Sequence, residues 1–305
     1  MQKISQNFVR ESDIPNPLLH SMEELMGRKF ERMIVTIDQV SYEFIGFKSN
    51  GRFISFPLLD MSVYSNIVDK NELSCDKNYR IKLSGFFFGK SNGFETEKSF
   101  FIINTLDNYT NYLTTLKSKY RSQINNIKHP FNHSIIWSPC RQDMDLFYNV
   151  YIKKMRTLGT LPMPKSFFYG LSGCKDVLFL KVFDIDKNCR SVSISIIIKD
   201  VLHLIWAASD NKQSSNLFMY KELIKSCCNN DRVKYLNIGR ATNNSSQYKF
   251  KERIGGEGFP IKEFSDNKPL NLQSKLPKYM LRLYKMVPLF IIEALSEIIY
   301  KRFIR

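Results

Sequence analysis

The chain has 305 residues, 43% of them apolar, and is long enough to fold around more than one hydrophobic core. This composition excludes a disordered chain. With 45 Lys and Arg against 29 Asp and Glu, its formal charge is +16, spread over the whole length. Such a charge suits a polyanionic partner (RNA, an acidic carrier protein or anionic lipid), and it is also compatible with an ordinary basic surface.

Several kinds of site are missing from the sequence. The six cysteines form no Cys-x-x-Cys pair and the four histidines are scattered, so we expect free thiols in a reducing cytosol and no metal site. His203, inside a predicted strand, is interpreted as a packed core residue. There is no Gly-x-Ser-x-Gly elbow, Walker loop or Gly-x-Gly-x-x-Gly turn. Because neither a secretory signal nor an apolar run of membrane-spanning length is found, we expect a cytoplasmic protein.

The first part of the chain is predicted to form an α/β unit. Residues 1–32 are a polar lead-in that includes a short predicted helix, LLHSMEELMGRKF. From Met33 onward the pattern predicts strands, with a hairpin turn at Asn50-Gly51 and further strands at YRIKLSGFFFG and SFFIINTL. From Tyr109 to Ile127, apolar and aromatic residues at helical spacing predict one helix with a basic opposite face. We interpret residues 33–134 as this first unit.

A second unit is predicted over residues 135–268. It begins with a helix, CRQDMDLFYNVYIKKMRTLG, which Gly159 and Pro162 end, and a short helix, SFFYGLSG. Three strands follow (VLFLKVFDI, RSVSISIIIK and VLHLIWAAS), then the polar loop DNKQSSN, the helix LFMYKELIKSCCNND and the strand VKYLNIG. The predicted fold class is therefore α/β (α+β), with mixed sheets flanked by helices.

The start of the helix after DNKQSSN is a candidate anion site. Ser214, Ser215 and Asn216 are good N-cap residues, and free N–H groups together with the helix dipole favour an anion there. Because capped helix starts occur in every protein, this feature alone does not distinguish a binding site from ordinary capping.

Residues 269–305 are predicted to form a basic amphipathic helical segment. Within it, residues 277–305 carry crowded apolar positions flanked by six Lys or Arg against Glu293 and Glu297, and Pro288 is expected to interrupt the helix. Two interpretations remain open. The helix either lies on anionic lipid at the inner face of the cytoplasmic membrane, or packs on the domain with a basic rim.

Cations and hydroxyls, rather than a catalytic triad, make up the candidate chemistry. They are Arg156, Arg240, Lys249, Lys251, Arg253, Tyr169 and Tyr248, together with Asp210. This set suits a transfer reaction in which the protein positions the reactants and stabilises charge on an oxyanion or leaving group. In the segment YKFKER, a strand would place Lys249 and Lys251 on one face with Arg253. Tyr248 and Phe250 would share the other face.

Three segments resemble the FemAB-like family, and together with the helix from Tyr109 they cover roughly residues 100–265. LFYNVYIKKMRTLGTLPMPKSFFYGL resembles the family's entry segment, with its Phe-x-x-x-Tyr and its MR-x-LGT turn. AASDNKQSSNLFMYKELIKSCCNN resembles its strand, loop and helix. YLNIGRATNNSSQYKFKERIGGEGFPI resembles its closing motif of Gly-Arg, Phe-Lys and Gly-Gly.

The resemblance implies a fold and an activity. The fold is that of the GNAT acyltransferases in two tandem units, with residues 33–134 as a degenerate first unit and residues 135–268 carrying the active site. The activity is transfer of an acyl or aminoacyl group onto an amine of a cell-envelope polysaccharide or a peptidoglycan precursor, expected to be lipid- or nucleotide-linked. The expected donor is aminoacyl-tRNA, an acyl carrier protein or acyl-CoA, with no permanently bound cofactor and no metal.

The resemblance also assigns residues. Lys251 matches the family's channel lysine, which supports the transition state, and Arg240 matches the arginine at the strand end, so these two are the predicted catalytic residues. Phe250 matches the channel-lining aromatic, while Asn237 stands where relatives often carry Asp. The predicted substrate-binding residues are Phe250, Tyr248, Arg156, Tyr169, Asp210, Ser214, Ser215 and Asn216.

Two questions stay open at the level of the sequence. The loop DNKQSSN lacks the glycines of a CoA phosphate cradle, which favours tRNA or an acyl carrier protein over CoA as the donor. The alternative function is a non-catalytic protein of the same fold that binds RNA or an anionic membrane through its basic surface.

Overall fold

Two β-sheets form the framework of the chain in the part that this computed structural model describes, which is residues 6–9, 20–21, 23–24, 29–37, 40–49, 52–55, 83–85, 94–105, 108–127, 130–198, 200–210, 214–264 and 284–303. The smaller sheet consists of β1 (Gln6–Val9), β2 (Glu31–Ile37), β3 (Val40–Ser49) and β4 (Arg52–Ser55), antiparallel and paired in that order. Ser49 pairs with Arg52, on either side of the predicted Asn50-Gly51 turn.

The larger sheet has eight strands in the described part of the chain. They are β5 (Leu83–Gly85), β6 (Phe94–Asn104), β7 (Asn132–Trp137), β8 (Val177–Phe183), β9 (Cys189–Ile198), β10 (Val201–Ser209), β11 (Tyr235–Thr242) and β12 (Glu257–Phe264). Their order across the sheet is β5-β12-β6-β11-β10-β9-β8-β7. The neighbours β10 and β11 run parallel, and the other neighbouring pairs run antiparallel.

Helices cover both faces of the larger sheet. Those of the described part are α1 (Tyr109–Thr115), α2 (Ser118–Asn125), α3 (Arg141–Leu158), α4 (Lys165–Tyr169), α5 (Ser215–Cys228), α6 (Ser246–Arg253) and α7 (Leu289–Phe303). Successive strand residues point to opposite faces, so Phe179 enters one core and its neighbour Leu180 the other. The first core holds α3, α4 and α7, and the second holds α1, α2, α5 and α6.

The second half of the chain follows the sequence prediction closely. α3, the three strands β8 to β10, α5 and β11 occur in the predicted order. α3 buries Met144, Phe147 and Tyr151 at helical spacing, and it ends as predicted at Gly159, which takes a left-handed φ of 71°. The strands β7 and β12 were not predicted. β7 forms an edge of the larger sheet beside β8, and β12 lies between β5 and β6.

The prediction of a single helix from Tyr109 to Ile127 is wrong in one respect, because this segment forms two helices. Leu116 interrupts the helical backbone with an extended conformation, φ −80° and ψ 145°. Its side chain is buried in the second core, so packing of this leucine outweighs continuation of the helix.

The larger sheet is shared by the two predicted units. β5 and β6 come from residues 33–134, while their neighbours β11 and β12 come from residues 135–268. The division of the chain into two tandem units at residue 134 therefore stays a prediction. In the C-terminal segment, Pro288 immediately precedes α7, in agreement with the expected interruption, and residues 265–283 lie outside the described residues.

Candidate functional site

The candidate site lies where the two parallel strands of the larger sheet separate. β10 and β11 pair at three successive positions, of which the last joins His203 and Asn237. Beyond that pair both strands continue without further pairing to each other over their described lengths. β11 is also irregular against β6 between Asn237 and Arg240. The sheet therefore opens in its middle, and backbone groups of β11 need other partners.

A buried polar pair closes the end of the paired region. The Asn237 amide donates from Nδ2 to His203 Nδ1 at 3.2 Å, and its Oδ1 accepts from the Gly239 N–H at 2.8 Å. Burial lowers the pKa of His203 to about 3, so the imidazole is neutral. Because an amide nitrogen only donates, Nδ1 is the acceptor and the ring proton is on Nε2. Gly239 has a φ of +77°, which suits a bulge in the strand.

The segment around Lys251 is a helix, so the arrangement of faces that a strand would give YKFKER does not apply. The Ser245 side chain accepts from the Tyr248 N–H at 3.1 Å and caps the start of α6. A helix turns about 100° per residue, so Lys251 is rotated by about 200° from Lys249 around the helix axis. The two side chains therefore point to roughly opposite sides of the helix instead of sharing a face. Lys249 is exposed, whereas only 3% of the surface of Lys251 is accessible. The two lysines therefore have entirely different surroundings.

The Lys251 ammonium group is bound by the backbone of the bulged strand. Nζ donates to the carbonyl oxygens of Ile238 at 2.5 Å and Arg240 at 2.9 Å, and it lies 5.8 Å from the centre of the Phe101 ring. Burial, followed by the positive charge of Arg240, lowers the pKa of Lys251 to about 7. Both protonation states are therefore accessible near neutral pH. The protonated form has a third N–H beyond its two bonds to carbonyls, and the neutral form has a lone pair.

Gly256 allows α6 to lie close to the sheet at this point. A Cβ on Gly256 would come within 2.9 Å of the Lys251 carbonyl oxygen and 3.1 Å of Ile238 Cδ1. The Gly256 N–H donates to the same Lys251 carbonyl at 2.9 Å. The second glycine of the Gly-Gly motif is therefore required by close packing around Lys251.

The two predicted aromatic residues of α6 have different neighbours. The Tyr248 ring meets Phe101 edge-on, with 4.8 Å between the ring centres, so Phe101 contacts both Tyr248 and Lys251. Phe250 instead meets Tyr220 of α5 at 5.3 Å. The structure thus brings Lys251, Arg240 and Tyr248 together, and it places Phe250 in the contact between α6 and α5.

The predicted anion site at the start of α5 lies towards the other end of β10. Ser209 is six residues beyond His203, roughly 20 Å along an extended strand. Ser214 is the N-cap residue of α5, as predicted, but it has a φ of 65° and its side chain makes no capping hydrogen bond. Asn216 is half-buried in the first turn.

Two of the described polar groups near this helix start are bonded within the protein. Ser191 Oγ donates to Ser215 Oγ at 2.9 Å, and Ser215 is fully buried. The Asp210 carboxylate forms an ion pair with Arg190 at 2.9 Å. These contacts join the ends of β9 and β10 to α5, at a distance from Lys251.

Tyr169 and Arg156 lie on the opposite face of the larger sheet from Lys251. The Tyr169 hydroxyl donates to Asp145, the Lys165 ammonium is 2.8 Å from the same carboxylate, and Arg141 lies 4.1 Å over the Tyr169 ring. Arg156 is half-buried in the last turn of α3. These two residues belong to α3 and α4, and the structure does not bring them to the Lys251 cluster.

The His203–Asn237 pair was missed as a site feature by the sequence analysis, although the sequence contains a signal for it. The strands VLHLIW and YLNIGR have the same pattern of two apolar residues followed by one polar residue. In parallel neighbouring strands this pattern places His203 opposite Asn237. A polar residue at the same position of two buried strands predicts a buried hydrogen-bonded pair.

In the part of the chain that the structure covers, three further features can be described: metal-binding groups, membrane-spanning helices and cysteines. No group of His, Cys, Asp and Glu side chains among these residues is placed to hold a metal ion. None of the helices in the same residues is both long and apolar enough to cross a membrane. The cysteines in this part are free thiols, as the sequence predicts: Cys140, Cys174, Cys189, Cys227 and Cys228.

Comparison with known proteins gives a likeness at the level of the fold. No protein-family model and no curated protein matches the sequence. The crystal structure of FemX is similar, with a TM-score of 0.55 and 10% identity over 92% of this chain and 100% of that chain. A conserved protein of unknown function from Bacteroides thetaiotaomicron VPI-5482 has a TM-score of 0.50 and 10% identity, over 80% of this chain and 87% of that one. L-PGS from Bacillus licheniformis has a TM-score of 0.49 and 10% identity, over 91% and 99%.

The likeness to FemX confirms the fold expected from the sequence. The chain has a mixed α/β fold with helices on both faces of its larger sheet, and it resembles the FemAB-like branch of the GNAT fold. At 10% identity this likeness concerns the fold alone.

Proposed function

We propose that this protein is an N-acyltransferase or aminoacyltransferase that moves an acyl or aminoacyl group onto an amine of a cell-envelope polysaccharide or a peptidoglycan precursor. The observation that carries the proposal is the buried Lys251 ammonium group at the point where β10 and β11 separate, in a chain with the fold of FemX. A buried lysine ammonium group at an opening in a sheet is unusual if the residue has only a structural role, because removing the charge from water is costly.

The proposed reaction needs little from a dedicated base. A neutral acceptor amine attacks the activated carbonyl of the donor, and negative charge develops on the carbonyl oxygen. With two N–H groups of Lys251 held by the Ile238 and Arg240 carbonyls, the third N–H of the protonated form is the group available to that oxygen. The adjacent Arg240 adds positive charge, and burial strengthens both interactions.

The donor that best matches this protein is a large carrier bearing an acyl or aminoacyl group. The segment from Asp210 to Asn216 contains no glycine, and the Asp210 carboxylate and the Ser215 hydroxyl are bonded to Arg190 and Ser191. A compact phosphate cradle of the kind used for CoA is therefore poorly supported here. Aminoacyl-tRNA or an acyl carrier protein would meet the net charge of +16 with its own negative charge.

Deletion of the gene, followed by mass spectrometry of the surface glycan and of the peptidoglycan precursors, tests the proposal. We expect loss of an acyl or aminoacyl substituent, restored by the parent gene and not by Lys251→Met. An unchanged set of substituents in the deletion strain would refute the transferase assignment.

A second candidate is a non-catalytic protein of the same fold that binds RNA or anionic lipid. The observation that favours it is that Lys251 and Asn237 already make hydrogen bonds within the protein. On this alternative, Lys251→Met would leave RNA or lipid binding intact, and the deletion strain would keep all its glycan substituents.

A further inference from the structure

Within the described part of the chain, the largest concentration of exposed apolar side chains lies at the C-terminal helix. Among the described residues, the exposed large hydrophobic side chains are Leu158, Ile185, Met286, Phe290, Ile291, Leu295 and Ile298. Five of these seven fall between residues 286 and 298. Phe290 is 71% exposed and Met286 79%. Single exposed apolar residues are normal, but a contiguous group on one helix marks a contact surface.

The same helix is firmly part of the folded domain on its other side. Ile292 and Ser296, four residues apart, are fully buried against the first core. Ser166 Oγ donates to Glu297 at 2.8 Å, and just before α7 the Tyr284 hydroxyl donates to the Thr160 carbonyl at 3.1 Å. The helix therefore has a set orientation, with one face packed and the opposite face presented outward.

The acidic residues of α7 are on the packed side. Glu297 is held by Ser166, and both Glu293 and Glu297 act on the buried Tyr148, whose pKa is raised by burial first and by these carboxylates as well. Ile291, Leu295 and Ile298 thus form a strip without a carboxylate, and Phe290 lies beside this strip on the edge of the helix that also carries Glu293 and Glu297, three and seven residues further on. Lys285 is exposed before this face, and in the sequence Lys301 and Arg302 come three and four positions after Ile298.

We propose that the outward face of α7, made of Phe290, Ile291, Leu295 and Ile298, docks the protein on an anionic lipid surface. An apolar strip with basic residues at both ends matches the acyl boundary and the headgroups of such a surface. A second copy of this chain is a poorer occupant, since each copy carries a net charge of +16 and the same basic ends. The packed face holds the domain against the membrane while the helix lies along it.

Sedimentation of the full-length protein with vesicles tests the proposal. We expect binding to vesicles of phosphatidylcholine and phosphatidylglycerol, weaker binding at high salt, and little binding to phosphatidylcholine alone. Phe290→Ser combined with Ile298→Ser should reduce binding at least about tenfold, because each side chain contributes to apolar burial. Ile185→Ser removes an apolar side chain that is 69% exposed in the turn between β8 and β9. This matched control should bind as the parent does.

Three results would overturn the proposal. The double variant could bind as tightly as the parent while keeping the parent's circular dichroism spectrum. The parent could fail to bind the anionic vesicles. Finally, the parent could be a dimer that the double variant turns into a monomer without any vesicle binding, which would assign the face to a second copy. Because no substrate is present, the outcome is independent of the proposed transferase activity.

Discussion

Two lysines in two regions of this protein show how surroundings decide what a charged side chain can do. Lys165 of α4 lies near the surface, 2.8 Å from the Asp145 carboxylate, and this hydrogen bond raises its pKa. Lys251 of α6 is buried against two backbone carbonyls, and burial with the nearby Arg240 lowers its pKa to about 7. A carboxylate partner holds a lysine permanently charged, whereas carbonyl partners in a buried site leave its proton exchangeable near neutral pH.

This contrast separates an ordinary surface ion pair from a candidate reactive group. Tyr169 and Lys165 share the Asp145 carboxylate and Arg141 lies over the Tyr169 ring, so the ammonium group of Lys165 has a carboxylate partner. In the Lys251 region, positive charge is concentrated without a carboxylate among the groups that bind Nζ. The second arrangement is therefore the one that suits the developing oxyanion of the proposed reaction.

The largest effect is expected from removing the charge of Lys251. Lys251→Met keeps the length and apolar stem, and loss of one oxyanion-stabilising donor typically costs on the order of 100- to 1000-fold in rate, or roughly 3 to 4 kcal/mol. The measurement is restoration of the glycan substituent in the deletion strain at matched protein levels. Lys249→Met, two residues away and exposed, should restore it as the parent does. Equal restoration by both variants would end the catalytic assignment.

A smaller effect, on stability, is expected at the polar pair beside Lys251. Asn237→Ala removes the acceptor of the Gly239 N–H and the donor to His203 Nδ1, at a cost of about 1 to 3 kcal/mol in the free energy of unfolding. Urea unfolding measures this cost. Asn126→Ala removes an exposed amide whose partner is Ser122, and it should change stability by less than about 0.5 kcal/mol. Similar losses for the two variants would show that the pair does not support the bulge.

Stability should also depend on pH through Lys251. Unfolded Lys251 holds its proton up to its ordinary pKa of 10.5, while in the folded protein its pKa is about 7. Between these values the unfolded state binds more protons, so the free energy of unfolding rises with pH, by at most about 1.4 kcal/mol per pH unit. The difference between parent and Lys251→Met in urea unfolding, taken at several pH values, isolates this contribution. If the free energy of unfolding changed with pH in the same way for the parent and for Lys251→Met, the pKa of Lys251 would lie outside this range.

The smallest effect is expected at the surface pair. Lys165→Met breaks a partly exposed ion pair with Asp145, which is typically worth less than about 1 kcal/mol. Restoration of the glycan substituent should be unaffected, because Lys165 lies on the opposite face of the sheet from Lys251. A loss of restoration as large as that of Lys251→Met would move the proposed site to α3 and α4.

Much of the fold could be predicted because local pattern and packing agree in the second half of the chain. α3 has apolar residues at helical spacing and a glycine at its end, and β8 to β10 are apolar runs separated by short turns. Prediction failed where the pattern was short or two-sided. YKFKER alternates like a strand, but the Ser245 cap and its packing against β6 and β11 make it a helix.

The sequence by itself determined the chemistry available to this protein: its basic charge, its lack of a triad, and the Gly-Arg and Phe-Lys motifs that resemble the FemAB-like family. Only the tertiary structure decided which of two neighbouring lysines is buried, since that depends on the register of α6 against the bulge of β11. It also decided that α7 both packs on the domain and presents an apolar face. Long-range packing sets these features, because a residue's exposure and pKa depend on neighbours that are distant in the sequence.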